Sequence, residues 1–395
     1  MPLLIEFGNW KSIKNKDALK QMLRDIWQQR LFVPDDMQPE EADNHYQPFL
    51  SFDDHQVRAN NFVGFIQNDD EVIEIYPKVF RNVQSPDKAL MLRHIFYWFN
   101  YCRKWKFPFN KASLDTIDIA EFPELIINLI ASQFLESVSK QPLTMYQPVE
   151  EAMQTPRGTI NFKRYLNKSL AYGNLHRIEC DYEPFLFDNK VNRIIKYCSR
   201  LLISQTKFSE NLRILQDVIF ILDEVDDVPC TVHDVDKVSL NSFFEDYNLI
   251  MHSSRLILNQ QLYSDNTYDL SQWCLLFPME YIFEDFLAGF LETHFSDQWK
   301  VEYQKSEKNL SDIPPAFRMQ HDIFLTNLKT QKTIIVDAKY KVRDADYKND
   351  PKKGVSQADL YQMVSYGFKR GCIDIILVYP NISEILNKPK FKIKI

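Results

Sequence analysis

The chain has 395 residues, 45% hydrophobic and 26% charged, which is enough apolar material for substantial cores in two or three domains. A formal net charge of -7 excludes broad, unaided duplex binding through a general basic surface. Six cysteines without a Cys-x-x-Cys pair exclude a zinc ribbon and a disulfide framework, and the eight histidines form no compact ligand pattern.

The start Met1-Pro2-Leu3-Leu4-Ile5-Glu6 has no basic leader, and no apolar run reaches membrane-spanning length, so the expected location is the cytoplasm. Asn61 to Ile66 and Val72 to Tyr76 are strand-like and flank the turn Gln67-Asn68-Asp69-Asp70, which predicts a hairpin. Residues 1–80 are therefore read as a small β-rich N-terminal region. From 81 to 270 the pattern is mainly helical, with helices near 86–102, 121–138, 188–206, 208–222 and 241–261. This is the expected partner-docking region. Within it, Asp223-Glu224-Val225-Asp226-Asp227 reads as a solvated loop. Arg157-Gly158 and Lys163-Arg164 are either solvated surface, the favoured reading, or a site facing phosphate or a partner. Asn192 and Arg193 are expected to organise their helix. Pro278 starts a further helix through Leu291 and opens a C-terminal domain over 275–395.

That last domain carries the chemistry. Phe317 to Leu325 and the β-branched run Thr333 to Lys341 predict two strands joined by Asn327-Leu328-Lys329-Thr330. Side chains alternate along a strand, so Ile335, Asp337 and Lys339 share one face. Asp322 shares a face with Arg318, Gln320 and Phe324, and the hairpin brings it beside Asp337. Two adjacent carboxylates repel unless a positive group lies between them. Mg²⁺, a hard ion that takes carboxylate and carbonyl oxygens, suits Asp322, Asp337 and the Ala338 carbonyl, and Lys339 would orient the attacking water. Asp-x-Lys recurs at Asp188, Asp346 and Asp350, but only Asp337-Ala338-Lys339 ends an apolar strand. A structural ion pair between Asp337 and Lys339 stays open as the alternative. Gln362 and Tyr366, spaced i, i+4, fall on one helix face downstream.

These residues resemble the PD-(D/E)xK nuclease superfamily and its branch with a Gln-x-x-x-Tyr helix. More narrowly, the chain is similar to the McrC family of restriction-system nuclease subunits. Ile73 to Lys78, Arg157 to Ile160, Cys180 to Glu183, Asp188 with Asn192 to Lys196, and Phe283 to Leu287 carry that likeness in order. The resemblance implies a mixed fold, α+β with α/β character, whose C-terminal nuclease core is a mixed central sheet flanked by helices. It implies catalytic roles for Asp322, Asp337, Lys339, Gln362 and Tyr366, with Glu284 supporting the metal site through water. His321 stands where the family usually has Pro. It is expected on the strand face opposite Asp322, as a core histidine.

Positive charge is local. Lys341 and Arg343 are the expected DNA contacts, in a segment that continues through Lys348, Lys352 and Lys353. Lys388, Lys390, Lys392 and Lys394 either guard an edge strand or meet phosphate. With eight glycines the chain has no Gly-x-x-x-x-Gly-Lys-Ser/Thr loop. The resemblance supplies a motor elsewhere: a separately encoded McrB-like AAA+ GTPase that binds the GTP, forms a hetero-oligomer with this chain and is stimulated by it. The implied activity is Mg²⁺-dependent cleavage of foreign double-stranded DNA with no membrane association. The rivals are a non-catalytic activator of the motor and a stand-alone RecB-like repair nuclease.

Overall fold

The computed structural model describes residues 2–29, 47–68, 71–81, 87–104, 121–140, 143–146, 148–240, 244, 246–261, 273–312, 315–342 and 351–381. They form two compact units, one made of 1–123 with 271–395 and the other of 124–270.

In the first unit the chain runs through β1 (Leu3–Ile5), β2 (Lys11–Ser12), α1 (Lys16–Gln29), β3 (Leu50–Asp53), β4 (Gln56–Ala59), β5 (Phe62–Gln67), β6 (Val72–Tyr76) and α2 (Lys88–Phe99). The predicted hairpin is β5–β6, with Gly64 opposite Ile75. Asp87 caps α2 by accepting from the Ala89 amide, which satisfies one of the orphan donors of its first turn.

The second unit holds α3 (Phe122–Lys140) from Glu124 onward, β7 (Met145–Tyr146), β8 (Val149–Met153), β9 (Thr159–Ile160), β10 (Ile178–Tyr182), β11 (Phe185–Leu186), α4 (Lys190–Gln205), α5 (Ser209–Ile221) and α6 (Asp246–Gln261). Asn192 is buried and donates to the carbonyls of Leu143 and Phe187, while Arg193 grips Asp188 through two bonds of 2.6 Å. Both organise α4, as expected. The five strands β7 to β11 were not expected in a mainly helical region. They are short, and β8 is Val-Glu-Glu-Ala-Met, too acidic to read as a strand. Asp226 and Asp227 are not merely solvated: they pair with Arg193 at 3.1 Å and Arg200 at 2.6 Å.

The chain returns to the first unit with β12 (Trp273–Pro278), then α7 (Met279–Phe295), β13 (Trp299–Asp312), β14 (Pro315–Asn327), β15 (Thr333–Ala338), α8 (Gln357–Arg370) and β16 (Asp374–Val378). β12 pairs antiparallel with β5 and completes a sheet of order β1-β6-β5-β12. This changes the expected boundaries. The stretches 1–80 and 275–395, expected as separate domains, fall in one unit because the all-apolar β12 is paired into the N-terminal sheet, and the first break lies at 123/124. α2 belongs to that unit as well.

A second sheet has the order β13-β14-β15-β16, antiparallel at its first two joints and parallel at β15–β16. Parallel neighbours need a crossover, which α8 supplies. Ser356 caps the start of α8 by accepting from the Asp359 amide, and left-handed Gly371 ends it while Cys372 N–H reaches back to the Gly367 carbonyl at 2.9 Å. Phe324, Ile335, Met363 and Cys372 form a core beneath the helix, with Tyr366, Ile375 and Leu377 against it. The fold is thus a mixed α/β one. Among the described residues no helix is long and apolar enough to cross a membrane.

Candidate functional site

The site is built at the end of β15. Thr333 to Val336 supply the β-branched residues that favour a half-buried strand. The tight connection from β14 is set by Asn327, whose Oδ1 accepts from the amides of Lys329 (3.1 Å) and Thr330 (2.9 Å). The resulting register pairs Phe324 with Ile335 and Ile323 with Val336. Continued by one residue, it sets Asp322 opposite Asp337. The ladder gives way there to a side-chain contact: the Ala338 amide donates to Asp322 Oδ2 at 2.8 Å.

Asp337 is 2% exposed and its Oδ2 lies 2.7 Å from Lys339 Nζ. That contact is an ion pair in distance but lacks hydrogen-bond direction, and Asp337 Oδ2 accepts no hydrogen bond from any described residue. Lys339 Nζ also donates to Gln362 Oε1 at 3.4 Å, and Gln362 Nε2 donates to the Tyr366 hydroxyl at 3.1 Å. Burial by itself would lower the Lys339 pKa, but Asp337 beside it, with the charges of Asp322 and Asp359, holds it above the usual lysine range.

Glu284, on α7, faces the same place. Burial first, then the charges of Asp322, Asp337 and Glu280, push its carboxyl up to about 8. Asp322 is pushed up to about 6 by burial and then by Asp337, against the pull of the Ala338 amide and Lys339. The structure therefore brings together Glu284, Asp322, Asp337, Lys339, Gln362 and Tyr366. Among the described residues no three His, Cys, Asp or Glu side chains converge as a protein-only metal cage. Two carboxylates and the Ala338 carbonyl are hard oxygen donors, and Mg²⁺ characteristically binds one or two carboxylates and keeps its waters. The donor chemistry fits that ion, with Glu284 outside the inner set.

Other expected residues are placed differently. Lys341 Nζ is held by both carboxylate oxygens of Asp359 at 2.9 Å, so it is not simply a free cation aimed outward. Arg343, Lys348 and Lys388 to Lys394 lie outside the described residues. His321 is fully buried, as expected of a core histidine. Its ring, however, lies edge-on to Tyr366 at 4.6 Å and its Nε2 accepts from Arg370 Nε at 2.9 Å. It thus meets the same helix that carries Gln362, where strand alternation alone would have set it apart. The β13–β14 pairing shifts register between Lys305 and Lys308, next to the Lys305–His321 pair, with the extra residue on β13.

Three charged residues near the site were not singled out from sequence. Glu280 is one turn before Glu284, a spacing that could have revealed it. Asp359 sits three residues after Ser356, the spacing of a helix-capping box, which marks the helix start but not its grip on Lys341. Glu6, at the other end of the chain, gives no local signal at all.

A family model described as a McrBC 5-methylcytosine restriction system component matches residues 57–380. A search of curated proteins found no match. Among solved structures, one similar chain belongs to the refined half-complex from a tetradecameric assembly of Thermococcus gammatolerans McrB AAA+ hexamers with bound McrC. It is 16% identical over 95% of this chain and 86% of that one, with a TM-score of 0.70. Another, from the cryo-EM structure of the Thermococcus gammatolerans McrBC complex, is 17% identical over 73% of this chain and 86% of that one, with a TM-score of 0.56. At these identities the structural likeness is one of fold. The family match spans most of the chain and bears out the resemblance read from its sequence: the chain belongs to the McrBC 5-methylcytosine restriction system component family.

Proposed function

We propose that the chain is the McrC-type nuclease subunit of a McrBC-type restriction system, a Mg²⁺-dependent DNA endonuclease with a PD-(D/E)xK core. Its partner in this reading is a McrB-like AAA+ GTPase, which binds the GTP and drives the hetero-oligomer along foreign, modified DNA. The chain stimulates that GTPase. The observation that carries the proposal is the meeting of Asp322, Asp337 and Lys339 at the carboxyl end of one strand, where open α/β sheets place their ligands.

Asp322, Asp337 and the Ala338 carbonyl would hold Mg²⁺, which when bound supplies Lewis-acid stabilisation of charge developing on the phosphate oxygens. The Ala338 amide fixes the Asp322 carboxylate, so the donor set is oriented before substrate arrives. Lys339 Nζ, held between Asp337 and Gln362, keeps its proton and orients the attacking water. The Gln362 to Tyr366 bond fixes the amide that receives Lys339.

The Asp337–Lys339 ion pair also favours a second reading, in which the pair is structural and the chain only activates the motor. Cleavage of methylated DNA by the reconstituted pair with Mg²⁺ and GTP separates the two. Asp337→Ala is expected to cut at least about a hundredfold more slowly than wild type while GTP turnover persists. Equal cutting by the variant overturns the site. No cutting by either, with GTP turnover still stimulated, establishes the activator reading.

A further inference from the structure

Beyond Ala338 the strand ends, and the Lys339 N–H donates to the Val378 carbonyl at 2.8 Å before the chain turns tightly, with the Lys341 N–H donating to the Lys339 carbonyl at 2.7 Å. The next residue, Tyr340, is 3% exposed. Its ring packs against Trp98 and Phe283, with centroids 5.9 Å away in both cases, and the Lys78 ammonium lies 4.1 Å from the ring centre. Its hydroxyl donates to Glu6 Oε2, and the same oxygen accepts the Lys78 amide at 2.9 Å. Glu6 is fully buried, its own amide is tied to the Tyr76 carbonyl at 3.0 Å, and its Oε1 accepts no hydrogen bond from any described residue.

A buried carboxyl with one oxygen left unbonded costs stability, and an apolar residue at position 6 would fill the same space without that cost. What a carboxyl adds is direction. It fixes one phenol in one place, and the two groups are 334 residues apart in sequence. Tyr340 is the central residue of that tight turn and Lys339 the residue that enters it, so anchoring the Tyr340 side chain fixes the backbone from which Lys339 departs.

We propose that Glu6 and Tyr340 are positioning residues for the nuclease site: the Glu6 carboxyl holds the Tyr340 phenol, and through it keeps Lys339 Nζ on Asp337 and Gln362. This rests on the nuclease reading above. Burial holds the Glu6 carboxyl up at about 7, with Tyr340 and Lys78 drawing it down and Glu280 pushing it up, and the Tyr340 hydroxyl stays protonated throughout the neutral range.

Tyr340→Phe keeps the ring and removes only the hydroxyl, and Glu6→Gln keeps the shape and removes the charge. Both are to be made in the full chain and assembled with the partner GTPase. In Tyr340→Phe the cleavage kcat is expected to fall about tenfold with the KM for DNA unchanged, the signature of a misplaced group. Amide exchange over residues 339–342 is expected to rise about tenfold in the isolated chain, with thermal melting little changed. The double variant is expected to be no worse than Tyr340→Phe alone, because without the hydroxyl the side chain at position 6 has nothing to hold. Wild-type kcat and protection in Tyr340→Phe, or additive losses in the double variant, overturn the proposal. If the wild-type assembly does not cut DNA, the nuclease reading fails, and the exchange measurement still decides whether Glu6 and Tyr340 anchor Lys339.

Discussion

The Ala338 amide donates to Asp322 Oδ2 at 2.8 Å, so the strands carrying the two acidic residues stay locked together one step beyond their last ladder pair. That bond works for the ionised form of Asp322, yet burial and Asp337 still win and hold the carboxyl at about 6. Glu284 is held at about 8. In the unfolded chain both return to ordinary values of 3.8 and 4.5. The folded state therefore binds more protons than the unfolded one between about pH 4 and pH 8. Stability from these groups is full at the acid end and is lost as pH rises through the folded values. Relative to wild type, the melting temperature of Glu284→Gln in metal-free buffer is therefore expected to rise as pH rises across that window, because the variant has no carboxyl at this position to ionise. Added Mg²⁺ should raise melting most at the alkaline end, where the carboxylates are charged. A pH-independent difference between wild type and Glu284→Gln, or a Mg²⁺ effect independent of pH, refutes the coupling of these carboxylates.

The Asp337–Lys339 pair is tested for stability separately from catalysis. Lys339→Met leaves a buried carboxylate without its cation, which costs toward the lower end of about 3–5 kcal/mol because the lysine itself is only partly buried. Asp337→Asn combined with Lys339→Met is expected to recover most of that loss, while neither variant cuts DNA. Urea denaturation of the four proteins of the cycle gives the coupling energy directly. Simple additivity would mean that the two groups do not sense each other in solution.

Much of this site was legible in the sequence, and the reason is local. Alternation along Thr333 to Lys339 and the Asn327 turn fix both the strand and its register, so Asp322 and Asp337 meet without any knowledge of the rest of the fold. The i, i+4 spacing of Gln362 and Tyr366 likewise needs only a helix. What was not legible depends on distant pairing. β12 joins β5 across about two hundred residues, and nothing in either segment names the other. Arg164 shows the same limit. Read by itself it is a basic surface residue, but Glu150, Glu179 and Asp181 of β8 and β10 enclose it, and those strands are too short and acidic to be seen in advance.

Lys341 and Asp359 make the DNA-contact expectation sharper. The ion pair competes with phosphate for the ammonium, and Asp359 is the more buried partner. If Lys341 meets one phosphate, Lys341→Ala is expected to weaken DNA binding by the assembled complex and reduce the magnitude of the log K against log salt slope by about 0.9. Asp359→Asn releases the ammonium and is expected to tighten binding at low salt. Fluorescence anisotropy with a labelled duplex over a salt series reads both. An unchanged slope in Lys341→Ala assigns Lys341 wholly to holding α8.

Gly64 is where the two ends of the first unit meet. Its φ is +144°, and a Cβ there would lie 1.9 Å from the Leu275 carbonyl oxygen of β12. That oxygen belongs to backbone in a paired strand, so it cannot swing away as a side-chain tip would. Gly64→Ala therefore combines backbone strain of about 1–3 kcal/mol with overpacking of a similar size. Because β12 leads directly into α7, which carries Glu284, the damage should reach the site as well as the fold. The expected result is a melting temperature lower by about 2–4 °C for each kcal/mol lost, with loss of cleavage. Gly173→Ala is the control. Its φ is also positive, at +77°, but nothing lies within 4 Å of the added carbon, so only the backbone term remains. Equal destabilisation by the two substitutions would show that the β5–β12 approach contributes nothing of its own.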